Sequence, residues 1–300
     1  MKKNEATEPK KSKLLIVTAA LVTGVLLSTI TAFFVRAVQS QLWQQSMASI
    51  LESTQQGRNT LQIQLQGEYE VMGTVAAHLS GFTSSQADEL DECLRDYSAV
   101  DTGILLYLEN AACYPDDVGI DENLTEILAK NDRKQGIIAP HISSVTGVNV
   151  FNLYVQVTLK DGTKGYLLKE FEVDRIVDTF TVSFYQDTGF SYVLDTEGNV
   201  LIRPPHPNSN KTVQNLFDML QVPENSHTGL ERFTQSLKEG KTGWATFTYQ
   251  EENTVFCYIP LKLDTDWYLV SIIPSAVVNK QTSQIIMRTF ALIGCIILGI

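Results

Sequence analysis

The sequence predicts an α+β fold in which two antiparallel-sheet modules stand in tandem behind a membrane anchor. Three observations predict it: an uncharged apolar run from Leu14 to Val35, a long amphipathic stretch after it, and an order of two strands, helix and three strands that occurs twice. The first run holds about 22 residues, and at 1.5 Å per residue it crosses a bilayer core of about 30 Å. Signal peptides are the alternative, but their apolar cores are shorter, about 7–15 residues, and end at a small-residue cleavage site. The expected division is therefore residues 1–13 as a cytoplasmic N-terminus and 14–36 as a transmembrane helix. Lys2, Lys3, Lys10, Lys11 and Lys13 against Glu5 and Glu8 hold the N-terminus inside, which places the residues after the span outside the cytoplasm.

Residues 37–80 contain no proline and read as one stalk helix about 65 Å long. Trp43, Met47, Leu51, Leu61, Leu65, Met72, Ala76 and Leu79 recur at three- and four-residue steps, with glutamines filling the other faces. Such a length exceeds what one small core covers, so its lower half is expected to pack against a second copy, giving a homodimer through the stalks. The alternative is that the whole stripe covers its own domain.

The first block then reads as strands at 103–108 and 111–114, a helix at 122–130, and strands at 137–145, 150–159 and 165–173. The last two are joined by Lys160-Asp161-Gly162-Thr163, whose Asp-Gly is a strong hairpin signal. A short helix, Ile176 to Phe184, links it to the second block. That block has strands at 190–195 and 199–203 around Thr196-Glu197-Gly198, helical stretches near 213–220 and 229–238, and strands at 243–249, 254–263 and 267–273. Pro274-Ser275 opens the helix of residues 276–300, with Ser275 as its N-cap. It runs into a second apolar stretch, Thr289–Ile300, about half a membrane span long. Either the chain continues past Ile300 or this segment lies at the interface.

The chain has a formal net charge of −11, and over residues 37–287 Asp and Glu outnumber Lys and Arg about two to one. No Lys/Arg cluster interleaved with aromatics offsets this, which excludes nucleic acid as a partner. His78, His141, His206 and His227 are isolated, and neither His-Glu-x-x-His, Gly-x-Ser-x-Gly nor a P-loop occurs. No catalysis, cofactor or metal is therefore expected. The acidic loop around Asp116, Asp117 and Asp121 lacks the EF-hand order, and Asp195-Thr196-Glu197-Gly198-Asn199 reads as a turn. Cys93 and Cys113 are close and exported, which allows a disulfide, with two buried thiols as the alternative. Cys257 and Cys295 complete the cysteines.

These features resemble the double Cache (dCache) sensor region of bacterial transmembrane receptors. Tyr192-Val193-Leu194-Asp195-Thr196-Glu197-Gly198-Asn199-Val200 is similar to that family's hairpin opening the membrane-proximal module. Gly243-Trp244, Tyr258-Ile259-Pro260-Leu261, Asp266-Trp267-Tyr268-Leu269 and Ile272-Ile273-Pro274 are similar to its closing strands. The resemblance covers about residues 37–280 and implies a membrane-distal module at 81–178 and a membrane-proximal one at 179–275. It implies a small ligand in the distal module, an amino acid, carboxylate or amine. In amino-acid-binding members an Arg-x-Trp-Tyr-like stretch clamps the ligand carboxylate and an acid in the last strand holds the ammonium. The matching stretch here is Arg133-Lys134-Gln135-Gly136, without the aromatics, and the acid falls on Glu170. Tyr107 and Tyr154 sit on strands that line the expected cavity. The candidate ligand-binding residues are thus Arg133, Glu170, Tyr107 and Tyr154, against ordinary surface charges and core tyrosines.

The expectation is a two-pass cell-membrane receptor with residues 37–285 outside the cytoplasm. A histidine kinase or diguanylate cyclase would follow residue 300, with a chemotaxis-type signalling helix as the alternative output. A membrane-anchored extracellular enzyme or an adhesion module are the rival classes: the enzyme needs convergent titratable groups in a pocket, the adhesion module none.

Overall fold

The computed structural model describes residues 8–100, 103–180, 188–263, 265–280, 287–288, 290–291 and 294. They divide into two compact units, residues 1–48 with 278–300, and residues 49–277. Helix α1, Glu8–Leu79, runs unbroken for 72 residues through both. In the first unit it is the single helix among the described residues that is long and apolar enough to cross a bilayer, and its apolar side chains are bare: Leu21 is 65% and Phe33 77% exposed. Most of the second apolar run, and with it Cys295, lies outside the described residues.

The second unit contains two five-stranded antiparallel sheets of one topology. The first holds β1 (Ile104–Leu108), β2 (Cys113–Tyr114), β3 (Gln135–Ile142), β4 (Asn149–Thr158) and β5 (Lys164–Glu172) in the order β2-β1-β5-β4-β3. The second holds β6 (Phe190–Leu194), β7 (Val200–Ile202), β8 (Gly243–Tyr249), β9 (Glu252–Pro260) and β10 (Tyr268–Pro274) in the order β7-β6-β10-β9-β8. The duplicated pattern of the sequence is thus a duplicated topology. Even a packing device repeats: Tyr154 stands across from Gly136, and Tyr258 across from Gly243, each ring lying over a glycine that leaves room for it.

Period-two alternation gives each sheet a back and a front. On the first sheet's back, Leu106, Phe151, Leu153, Val157 and Leu167 join Leu61, Leu65, Met72, Val75 and Leu79 of α1 in one core. Lys169, 3% exposed, reaches from β5 to Glu68 of α1 at 2.5 Å. Lower on α1, Thr54 donates to Ser271 Oγ of β10 at 2.8 Å, and Ser191 Oγ of β6 is 2.9 Å from the same oxygen. The buried stripe of α1 from Ile50 to Leu79 therefore covers its own chain, and at its lower end Ile50 is buried where Leu51 was expected. The fronts are covered by α3 (Glu122–Ala129) on the first sheet and by α5 (Leu216–Leu220) and α6 (His227–Lys238) on the second. Side chains start each helix: Asp121 accepts from Asn123 N, Asn215 from Phe217 N and Asp218 N, and Ser226 from Gly229 N.

Helix α2 (Ala87–Val100) has no counterpart in the sequence reading; its charges hide a short apolar face, of which Leu90 and Leu94 are fully buried. The linker helix α4 begins at Val173 and is described to Phe180. The β8–β9 loop has two residues, because Glu252 and Asn253 already pair with Tyr249 and Thr248, and Gln250 and Glu251 take φ of 52° and 65° to close it. A helix does start at residue 275, but the Ser275 hydroxyl is buried without a hydrogen bond and caps nothing.

Candidate ligand site

The front of the first sheet is built from three rows that cross the strands. Cys113, Tyr107, Tyr166 and Gln156 form one; Leu105, Leu168, Tyr154 and Gly136 the next; Glu170, Asn152 and Ile138 the third. Leu124 and Leu128 of α3 close over the middle row. The face is therefore apolar at its centre and polar at both ends.

At the first end, Tyr154 and Tyr166 meet edge to face at 5.7 Å and both donate to Asn131 in the loop after α3: Tyr154 to Oδ1 at 3.3 Å, Tyr166 to the carbonyl at 2.9 Å. A cavity of about 490 Å³ opens here, lined by Tyr107, Tyr166, Glu109, Asp132, Asn131 and Gln156 among others. Burial, then Tyr154 and Asp132, push the Tyr166 hydroxyl pKa up, as an acidic, partly desolvated wall requires.

At the other end lies a knot of ionisable groups. Asp121, 3% exposed, accepts from the Asn123 and Ser144 N–H groups and the Ser144 hydroxyl, and His141 Nε2 stands 3.3 Å from its Oδ2. Burial opposes its charge, but these donors outweigh burial and hold the carboxyl below the usual range. It thereby ties the start of α3 to the β3–β4 turn. Glu170 has the opposite balance: burial raises its pKa, with Asp121 and Glu172 adding repulsion, and His141 and the Ser143 hydroxyl do not compensate.

Of the residues singled out in the sequence, Tyr107 lines the 490 Å³ cavity and Tyr154 supports its wall. Glu170 is two rows away, on the front by its electrostatic neighbours, and also borders a cleft of about 320 Å³ toward Glu68 of α1. Arg133 is exposed beside Asn131, whose Oδ1 accepts from its main-chain N at 3.2 Å, and lines neither cavity. The structure brings Tyr107 and Tyr154 to one end and sets Glu170 at the other. Cys93 and Cys113 are free thiols: Cys93 turns to His78 Nδ1 at 3.7 Å, Cys113 donates to Val118 O at 3.6 Å, and burial pushes both thiols up. Tyr166, Asn131 and Asn152 were not singled out, and Asp121 and His141 were weighed only as a metal loop and an isolated histidine; an asparagine inside the apolar strand Val150-Phe151-Asn152-Leu153-Tyr154 was the available signal.

The second sheet's front is filled. Phe233 of α6 packs on Phe217, Phe247, Phe256 and Tyr258 at centroid distances of 5.7, 5.5, 6.4 and 5.2 Å, and Tyr268 donates to Leu237 O at 2.8 Å. A groove of about 980 Å³ runs along α5 and α6, lined by Leu220, Val222, Pro223 and Leu230 with no strand residue among its walls.

The same architecture occurs in solved ligand-binding regions. The Pseudomonas fluorescens chemoreceptor CtaA ligand-binding domain with L-serine has a TM-score of 0.60 at 11% identity, covering 78% of this chain and 99% of that one. The fold is the double Cache fold. The ligand-binding domain of the Pseudomonas aeruginosa PAO1 amino acid chemoreceptor PctB with L-Gln gives 0.58 at 13% identity, covering 80% and 97%. The extracellular domain of the putative histidine kinase mmHK1S-Z3 gives 0.57 at 14%, covering 80% and 98%. No protein-family model and no curated protein matches the sequence. In double Cache terms the polar, cavity-bearing module comes first in the chain and the filled one second.

Proposed function

We propose that this protein is a membrane receptor whose first double Cache module binds a small molecule outside the cytoplasm and whose second module relays the event to the membrane helices. The observation that carries this is the contrast between the two fronts: one is polar-ended with a 490 Å³ cavity, the other packed with aromatics on the same topology. Support comes from the ligands in neighbouring structures, L-Gln, L-serine and asparagine, and from α1 as an anchor. In this reading residues 81–178 are the membrane-distal sensor, 179–275 the membrane-proximal module, and the receptor is a two-pass homodimer through α1. The output after residue 300 is a histidine kinase or diguanylate cyclase, with a chemotaxis-type signalling helix as the alternative. Neighbours of both the kinase and the chemoreceptor kind fit.

In this reading Tyr107, on the cavity wall that Tyr154 supports, meets the apolar body of the ligand, Glu170 at the far end of the same face takes a donor group, and Arg133, outside the cavity, takes an anionic group through its bidentate fork. The test is a thermal-shift screen of the full chain in detergent against amino acids, carboxylates and amines. A ligand at 100 times its Kd adds about 2.7 kcal/mol. For a ligand so found, Arg133→Ala and Glu170→Ala are each expected to weaken binding by about 1.5–3 kcal/mol. Unchanged affinity removes the residue from the site.

A further inference from the structure

Asn152 sits in the middle of β4 with 1% of its surface exposed, and neither its Oδ1 nor its Nδ2 has a hydrogen-bond partner. Buried polar side chains are nearly always satisfied, so a doubly orphaned amide in a central strand is a cost the fold alone does not explain. Its neighbours locate that cost. Strand alternation puts Asn152 on the front with Tyr154, while Phe151 and Leu153 point into the α1 core. Glu170 is its cross-strand partner on one side and Ile138 on the other. Neither side chain supplies the missing bonds.

The deficit specifies chemistry. Asn152 lacks acceptors for the two N–H groups of its NH₂ and a donor for its carbonyl. An ammonium would satisfy Oδ1 and Glu170 but leave Nδ2 orphaned. A carboxylate would satisfy Nδ2 but has no donor for Oδ1. A guanidinium offers donors alone. A primary amide supplies both an acceptor and a donor on one edge: its carbonyl accepts from Nδ2, one N–H donates to Oδ1, and the second N–H is free for Glu170. We propose that Asn152 is a specificity-determining residue and that, with Glu170, it takes a carboxamide-type edge, as in a primary amide or a urea. This rests on the first module being the sensor. Asn152 lines neither cavity, so a ligand reaches it only by opening the packing at this end of the face, where Asp121 and His141 act on the charge of Glu170 and Asp121 is tied to Ser144.

The experiment uses the full chain in detergent and probes that differ only in amide against acid: L-asparagine and L-aspartate, L-glutamine and L-glutamate, nicotinamide and nicotinate. At least one amide is expected to raise Tm while its acid does not. Asn152→Leu, which removes the orphaned atoms, is expected to raise the unliganded Tm by about 2–4 °C and to abolish the amide shift. Asn152→Ala abolishes the shift too, and keeps the test open should the leucine not fit. Acids that shift Tm as well as their amides, an amide shift that survives both variants, or a leucine variant that folds without gaining stability each overturn the inference. Amines or carboxylates that bind where amides do not overturn it and leave the sensor reading standing; no shift from any compound of either screen overturns both.

Discussion

Glu170 is a carboxyl whose surroundings resist its charge, and this has a sign that can be measured. Burial raises its folded pKa above the ordinary glutamate value of 4.5, so the folded state holds the proton to higher pH than the unfolded chain. Stability is expected to fall as pH rises from about 4.5 through the raised value and then to level off. Glu170→Gln should flatten that stretch of the Tm-against-pH curve between pH 4.5 and 8; an unchanged slope would show that another group produces it. Asp121 acts oppositely, since its lowered pKa removes stability only as pH falls below the ordinary carboxylate range, outside this window. Gly165 marks another residue-level constraint. A Cβ there would lie 2.4 Å from Tyr107 O and 3.0 Å from Leu108 Cα, both backbone atoms of β1. Gly165→Ala must push two paired strands apart and is expected to cost on the order of 1–3 kcal/mol in chemical denaturation. A cost below about 0.5 kcal/mol would mean that β1 yields freely.

Strand β5 is the element on which the two sides of the first module meet. Its successive residues point oppositely: Lys169 backward to Glu68 of α1, Glu170 forward to the front of the sheet, the proposed ligand face. Whatever shifts β5 from the front therefore acts on α1 through a nearly buried ion pair. Removing one partner strands the other, whereas removing both leaves apolar packing. Lys169→Met is expected to destabilise the protein by about 2–4 kcal/mol, and adding Glu68→Leu to restore part of that loss. A double variant no better than the sum of two singles would show that the pair is not coupled. The same substitutions would also loosen α1 from β5, so signalling in the double variant is expected to fall even where stability returns.

For the molecule as a whole, the chain passes from β10, ending at Pro274, straight into a helix at residue 275. Ligand shifts a receptor only through different affinities for its two states, so the proposed signal must cross this junction or run along α1. Inserting Gly-Ser-Gly-Ser after Pro274 is expected to leave ligand binding intact and to abolish the ligand-dependent output of the full receptor. A normal response would route the signal through α1 alone. The proposed topology has its own check: a reporter fused after Lys13 belongs inside, and one placed in the Lys160–Thr163 turn belongs outside. Both reporters on one side would reject it.

By itself the sequence determined the long apolar helix at the N-terminus, the strand order and its duplication, because hydrophobic period, chain length and turn residues are local quantities. Asp-Gly at 161–162 and the turn at 195–199 closed hairpins as read; Asp161 accepts from Thr163 N, and Asp195 from Glu197 N and Asn199 N. Local signals ended where partners are distant. Helix α2 was missed because its buried face, Leu90 and Leu94, is short and becomes apolar only against α1 and the first sheet. That Ile50 to Leu79 of α1 covers its own chain was one of two open alternatives, since a stripe does not name what it packs on. The site shows the limit most clearly. Tyr107 and Glu170 were legible as types on strands, but strand register decides that one stands with Tyr166 and the other with Asn152. Only tertiary structure left Asn152 buried without a partner, because hydrogen-bond satisfaction belongs to the packed chain and to no residue of the sequence alone.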